Sequence, residues 1–480
     1  MNFLTPLALD LAVLAIGLFL LLLEAFNDEK QKAFLGWIGI VGIAAVFALS
    51  FFVAPQTVAM GQFYLADALA LFFKRLALGT TLLVLLMALE FRPVLSRYIP
   101  AVGKNAGLGE FFALPVFTCL GLMWMASAVD FVMIFVALEL VTISFYVLVS
   151  YMRRSGASLE AGVKYLILGA LSTGFFVYGI TWIFGVTGKT NLAEVGEALK
   201  QLPVSSETGA IFAMTLLFVG LGFKIAAAPF QLWVPDVYQG APTPVTAFLS
   251  VGSKAAGFIV LIRVLGLFLN APATAGRALL VLAVLAVLTM LYGNLTAMPQ
   301  LNLKRLLAYS SIGHAGYLLV ALACWNSGHA SVTVGFYLAG YFLMTLLAFL
   351  VMTVVTRATG GDEIANFNGL GQRAPFLAFG MTVAMLSLAG VPFTAGFLGK
   401  FFVFADAVQT GHWLLVGVGV VTVAAGFYYY LKVVRAMYWN VAKATEPVVA
   451  SGLTQATMGV LIALIFVLGV WPQPILQMLK

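Results

Sequence analysis

Charge is scarce in this sequence. Only 9% of its 480 residues are Asp, Glu, Lys or Arg, whereas 62% are hydrophobic. A single soluble core cannot hide that much apolar surface, so lipid must be the solvent. Cysteine is scarcer still. Cys119 and Cys324 each stand alone in an apolar run. An iron–sulfur or zinc site takes about four ligands at short spacing, so both read as small buried hydrophobes. His314, His329 and His412 are the only histidines. A bis-histidine haem is not expected, since His329 and His412 fall at the ends of apolar runs and His314 falls inside one. No Gly-rich phosphate loop follows a strand. No stretch shows the period-two alternation of a membrane β-barrel. The first apolar run lacks the short core and cleavage site of a removable signal, so we expect it to be retained.

What the sequence does have is a succession of long apolar runs. A bilayer crossing takes about 20 apolar residues, which gives about fourteen helices. They are expected near 3–25, 33–54, 65–90, 111–128, 130–151, 162–186, 208–230, 244–269, 277–298, 303–325, 330–356, 374–391 continuing to 408, 413–440 and 456–477. The expected fold class is therefore an all-α polytopic membrane protein, with residues 1–480 as a single integral membrane domain and no soluble domain.

The net charge of +7 does not imply nucleic acid as a partner, because the cations are sorted by side. Connections after odd-numbered spans carry Lys30 and Lys32; Arg92, Arg97 and Lys104; Arg153 and Arg154; Lys304 and Arg305; Arg357 and Arg373; and Arg435 and Lys443. Those after even-numbered spans carry little beyond Lys189, Lys200 and Arg277. The positive-inside rule places the odd-numbered connections in the cytoplasm and both termini on the outer side.

Two spans are interrupted. In "GLGFKIAAAPFQLWVPDVYQGAPTP", Gly220 to Pro244, a lysine lies at membrane depth and Pro229 then breaks the helix that carries it. Proline removes a backbone donor and clashes with the preceding turn. Irregular backbone is tolerated in a membrane only where protein or water satisfies it. A second break falls in "LAGVPFTAGFLGKFFVF", Leu388 to Phe404, where Pro392 is followed by Lys400. The breaks lie in the seventh and twelfth spans, which cross in opposite directions. That pattern predicts two inverted five-helix repeats, 111–269 and 277–440, each with a Pro-broken helix and a site near the midplane.

Charges inside the spans point to the same place. Glu139, Lys164, Lys224, Lys254 and Lys400 all fall within predicted helices. Each costs about 2.5–3.5 kcal/mol at a helix centre on insertion scales. Loss of water favours the neutral form of a lysine or a glutamate, and a nearby opposite charge restores the charged form. A row of such groups can pass protons through bound water. The plainer reading is that each charge ties helices together. For Lys164, near an interface, the rival is a snorkelling side chain. For Lys304 and Arg305 it is cytoplasmic anchoring. For Lys400 it is a local staple to Asp406.

The stretches "ALELVTISFYVLVSYMRR", "EAGVKYLILGALSTGFFVYG", "GLGFKIAAAPFQLWVPDVYQGAPTPVTAFLSVGSK", "NLKRLLAYSSIGHAGYLL" and "LSLAGVPFTAGFLGKFFVF" resemble the antiporter-like membrane subunits of respiratory complex I, over nearly the whole chain. The resemblance implies fourteen membrane helices with two inverted five-helix repeats. It puts Glu139, Lys164, Lys224, Lys254 and Lys400 on the family's proton-pathway positions, with His314 beside the path. It implies a subunit of a proton-translocating oxidoreductase in the bacterial inner membrane, with other membrane and peripheral subunits as partners. This chain would hold no cofactor; NADH, FMN, iron–sulfur clusters and quinone would belong to partner subunits. One departure is Gln231, where the family usually has histidine: an amide bonds but does not titrate near neutral pH. Two other functions compete, a subunit of an Mrp-type cation/proton antiporter and a scaffold that moves nothing. The proton route expected is entry through the first repeat, passage past Lys254 and Ser310, Ser311 and His314, and exit near Lys400.

Overall fold

The structure, a computed structural model, describes residues 5–26, 32–56, 60–99, 108–442 and 447–479. Lys30, Lys104 and Lys443 lie outside the described residues. In chain order the main helices are α1 (Pro6–Phe26), α2 (Lys32–Ser50), α3 (Ala68–Tyr98), α4 (Leu108–Ser127), α5 (Phe131–Val149), α6 (Gly156–Thr187), the short α7 (Leu192–Lys200), α8 (Val204–Ile225) and the short α9 (Val234–Gly240). There follow α10 (Thr243–Leu269), α11 (Pro272–Ala297), α12 (Leu303–Ala323), α13 (Ala330–Thr359), α14 (Pro375–Ala389), α15 (Ala395–Gln409), α16 (Trp413–Trp439) and α17 (Gly452–Val470). Among the described residues twelve helices are long and apolar enough to cross a bilayer, and two shorter apolar ones, Phe34–Ser50 and Pro375–Ala389, fall at the other two of the fourteen expected positions.

Local chemistry sets the helix ends. Asp67, Asp130, Ser155, Asn191, Asn302 and Ser451 cap helix N-termini by accepting backbone N–H groups, which satisfies donors the helix cannot. Packing then depends on small residues. A Cβ on Gly293 of α11 would lie 2.3 Å from the Gly313 backbone nitrogen of α12, so the two helices meet backbone to backbone, as small residues permit in membranes.

The connections confirm the alternation of crossings. On one side Arg154 N–H bonds the Tyr98 carbonyl, Leu303 N–H bonds Asp362, and Ile364 N–H bonds Leu301, which joins connections after odd-numbered spans. On the other, Leu65 N–H bonds Ser127 and Phe131 N–H bonds Thr190, which joins connections after even-numbered spans. Helices α10 and α12 are wholly buried and α13 nearly so, while α6 is largely exposed. The enclosed centre of the molecule is therefore made by α10, α12 and α13.

Both expected breaks are present. Helix α8 stops at Ile225, short of the predicted 230, because Ala226 turns to φ 63° and the Ala228–Pro229 peptide follows. The chain resumes as α9 at Val234. Helix α14 stops at Ala389 with Gly390 at φ 91°, and α15 starts at Ala395. A third irregularity, not visible in the sequence, is a π-helical turn at Leu249–Ser253 inside α10, just before Lys254. Such turns occur often at functional sites.

Candidate functional site

The site begins on α5. Glu139 and Thr142 are three residues apart and so share a helix face. Glu139 is half-buried and accepts a 2.9 Å hydrogen bond from the Thr173 hydroxyl of α6. Lys224, in the last turn of α8, is buried and donates to the Thr142 hydroxyl oxygen. The Thr142 hydroxyl in turn donates to the Leu138 carbonyl at 2.6 Å. Glu139 forms no ion pair among the described residues and lies on the same helix face as Thr142, the acceptor of Lys224.

The second cluster sits where α10 meets α12. Lys254 is buried, donates to both the carbonyl and the hydroxyl of Ser311, and lies 5.4 Å over the Tyr341 ring. The Tyr238 hydroxyl is 3.3 Å from the same Ser311 hydroxyl. One turn further along α12, His314 is held through both ring nitrogens, at 2.7 Å to the Tyr337 hydroxyl and 3.1 Å to the Tyr430 hydroxyl. Tyr430 also bonds Ser310. The His314 ring packs against Tyr341, over which Lys254 lies, and against Tyr317, over which Lys400 lies, so the histidine stands between the two lysines.

The third cluster closes the second break. Lys400, on the first turns of α15, reaches back to the end of α14 and donates to the carbonyls of Leu388 and Ala389 at 2.8 and 2.9 Å. Its nitrogen lies 5.3 Å over the Tyr317 ring. In a continuing helix the N–H of residue 392 would bond the Leu388 carbonyl, and proline has none; Lys400 donates to that carbonyl instead. Asp406 instead accepts from Thr333 at 2.7 Å, so the Lys400–Asp406 staple does not form.

Lys164 stands apart. Its side chain is 41% exposed and forms ion pairs of 2.7 Å with Glu160 and with Asp236. Asp236 also pairs with Arg305 at 2.7 Å. Lys304 is buried and donates to the Ala241 carbonyl at 3.0 Å, so it is more than a surface anchor. Gln231 is buried in the first break with its amide oxygen unpartnered.

Five of the six expected site residues thus lie along one band, Lys224, Lys254, His314 and Lys400 buried and Glu139 half-buried at its end. The hydroxyls that bond individual members, Thr142, Thr173, Tyr337 and Tyr430, carry no signal in a single sequence, because hydroxyls are common in apolar helices. Asp10 and Lys74 did carry one, as charges inside predicted spans. They form a fully buried 2.5 Å ion pair completed by the Tyr64 hydroxyl. Among the described residues no group of three or more His, Cys, Asp or Glu is placed to hold a metal.

Residues 128–426 match the family described as NADH:quinone oxidoreductase/Mrp antiporter, transmembrane. The chain is 43% identical to NADH-quinone oxidoreductase subunit N of Trichlorobacter lovleyi, over 88% of this chain and 85% of that one. It is 39% identical to subunit N of Heliobacterium modesticaldum, over 99% and 98%. Among solved structures, a chain of respiratory complex I from Thermus thermophilus matches with a TM-score of 0.82 and 33% identity, over 98% of each chain. A chain of the Mrp complex from Dietzia, at 20% identity and a TM-score of 0.81 over 100% of this chain and 96% of that one, shares the fold. A multi-pass helical membrane protein with these relatives belongs to the antiporter-like subunit N family of NADH-quinone oxidoreductase.

Proposed function

We propose that the chain moves protons across a bacterial plasma membrane as part of NADH-quinone oxidoreductase, driven by quinone reduction in partner subunits. NADH, FMN, the iron–sulfur clusters and quinone belong to those partners, and this chain does no redox chemistry. The observation that carries the reading is the band from Glu139 to Lys400, in which every buried charged group faces a hydroxyl, a carbonyl or an aromatic ring. Lysines taken out of water can exist with or without their proton at modest cost. The hydroxyls of Thr142, Ser311, Tyr337, Tyr430 and Ser310 each donate and accept, so they can hand a proton on.

Between the clusters, water in the two helix breaks would complete the route, since irregular backbone at this depth needs such a partner. Residues 111–269 and 277–440 act in this account as inverted repeats, with the first taking protons from the cytoplasm and the second releasing them near Lys400. Both termini lie on the outer side. Lys164, tied to Asp236 and Arg305 at the end of the odd-numbered connections, guards entry rather than lying on the buried band. The Mrp-type antiporter reading is less well supported: the likeness there is one of fold, whereas the relatives near 40% identity are subunit N.

The test is Glu139→Gln in the assembled complex, with NADH oxidation and proton movement measured together. The proton-to-electron ratio is expected to fall while assembly is retained. An unchanged ratio would remove Glu139 from the mechanism.

A further inference from the structure

A cavity of about 250 Å³ lies where four helices end on one side of the molecule, away from the buried band. It is lined by Trp37 of α2, Glu90 and Arg92 of α3, Leu350 of α13, and Leu453 and Thr457 at the start of α17. All four of these helix ends join connections that follow odd-numbered spans, the side rich in Lys and Arg. Glu90 also lines the cavity, but its charge is countered by an arginine. It pairs with Arg357 at 2.5 Å and accepts from Thr454 at 3.2 Å. Arg92, in contrast, has no ion-pair partner among the described residues and is only half-buried. The charge left over in the cavity is therefore positive.

The remaining lining says what would neutralise it. Helix α17 begins here, with Ser451 accepting from Thr454 N–H at 3.2 Å and from Gln455 N–H through its carbonyl. The amides of Gly452 and Leu453 belong to the first turn, whose donors have no acceptor within the helix. A helix start of this kind favours an anion, and the Arg92 guanidinium offers a planar fork suited to phosphate oxygens. Trp37 and Leu453 are 44% and 42% exposed, so the cavity opens sideways onto the lipid-facing surface. Tryptophan is the side chain favoured at the headgroup level. An anion held by Arg92 would thus carry apolar chains lying along Trp37 and Leu453.

We propose that this cavity binds the phosphodiester headgroup of an anionic phospholipid, with Arg92 as the charge that selects it. Basic pockets between membrane helices on the cytoplasmic side are suited to such headgroups. Bound there, the lipid joins α2, α3, α13 and α17, and so ties the N-terminal helices to the last one.

The test uses the full chain purified in a neutral detergent, with retained lipid counted by native mass spectrometry. The probes are phosphatidylglycerol, phosphatidylcholine and inorganic phosphate. One phosphatidylglycerol per chain is expected to be retained, with an affinity about tenfold or more above phosphatidylcholine. Arg92→Gln, which removes no ion pair, is expected to erase that preference. Thr457→Phe, which fills the cavity and keeps Arg92, is expected to release the lipid. Preference for phosphatidylglycerol that persists in either variant overturns the proposal. So does displacement of the lipid by an equal concentration of inorganic phosphate, which would make the cavity a site for a soluble anion.

Discussion

The two helix breaks solve the same problem in different ways. In the first, the chain takes the residues from Ala226 to Trp233 to pass from α8 to α9. The end of α8 is capped by the chain itself: Ala226 N–H reaches the Gly222 and Phe223 carbonyls, and the Trp233 indole donates to Phe223 at 3.1 Å. Lys224 takes no part and reaches across to Thr142. In the second, the gap runs only from Gly390 to Thr394, and Lys400 is itself the cap on Leu388 and Ala389. A change of charge at Lys224 would therefore be felt on a neighbouring helix through Thr142, whereas one at Lys400 would be felt at the hinge it caps. The break that looks simpler in sequence is the one where charge and backbone shape are joined.

The sharpest contrast is between Lys224→Met and Lys400→Met. Each removes one buried cation and so recovers a similar desolvation cost. Lys224→Met leaves no orphan, because the Thr142 hydroxyl keeps its bond to Leu138. Lys400→Met leaves two buried carbonyls without a donor, at about 1–3 kcal/mol each. Thermal or denaturant unfolding in detergent is expected to rank Lys400→Met below Lys224→Met by about 3 kcal/mol. Equal stabilities would break the comparison.

Gly390→Ala comes next. It puts a Cβ on a residue at φ 91° and 3.0 Å from Lys400 Cδ, with an expected loss of about 1–2 kcal/mol. Trp233→Phe removes the indole donor at the first break but keeps a ring against Tyr165 and Phe223. Ala226 N–H still serves the Phe223 carbonyl, so the expected cost in the same unfolding measurement is only about 1 kcal/mol. The smallest effect should be Ala226→Gly. It relieves a left-handed alanine at φ 63°, offset by glycine's extra chain entropy, for a net gain of about 0.5 kcal/mol. A destabilised Ala226→Gly chain would mean that the first break depends on that methyl group.

Much of this was legible in the sequence because hydropathy and proline act locally. The positions of the apolar helices, both breaks and the lysines beside them follow from apolar runs, Pro229, Pro392 and mid-span charge. The partners were not legible, because they come from distant parts of the chain. Asp236 meets Lys164 from 72 residues away and Thr142 meets Lys224 from 82. Nothing in the local pattern around His314 marks Tyr337 and Tyr430 as the phenols on its ring nitrogens. The π-helical turn before Lys254 was hidden for another reason: "LSVGSK" reads as ordinary helix, and only packing selects the wider turn.

The measurement that bears most directly on the central claim is the proton-to-electron ratio of the assembled complex carrying Lys400→Met, reconstituted in sealed vesicles, with NADH oxidation followed in parallel. The account predicts a complex that assembles and oxidises NADH but moves fewer protons per electron than the natural complex. A ratio equal to that of the natural complex would contradict it and take Lys400 off the path.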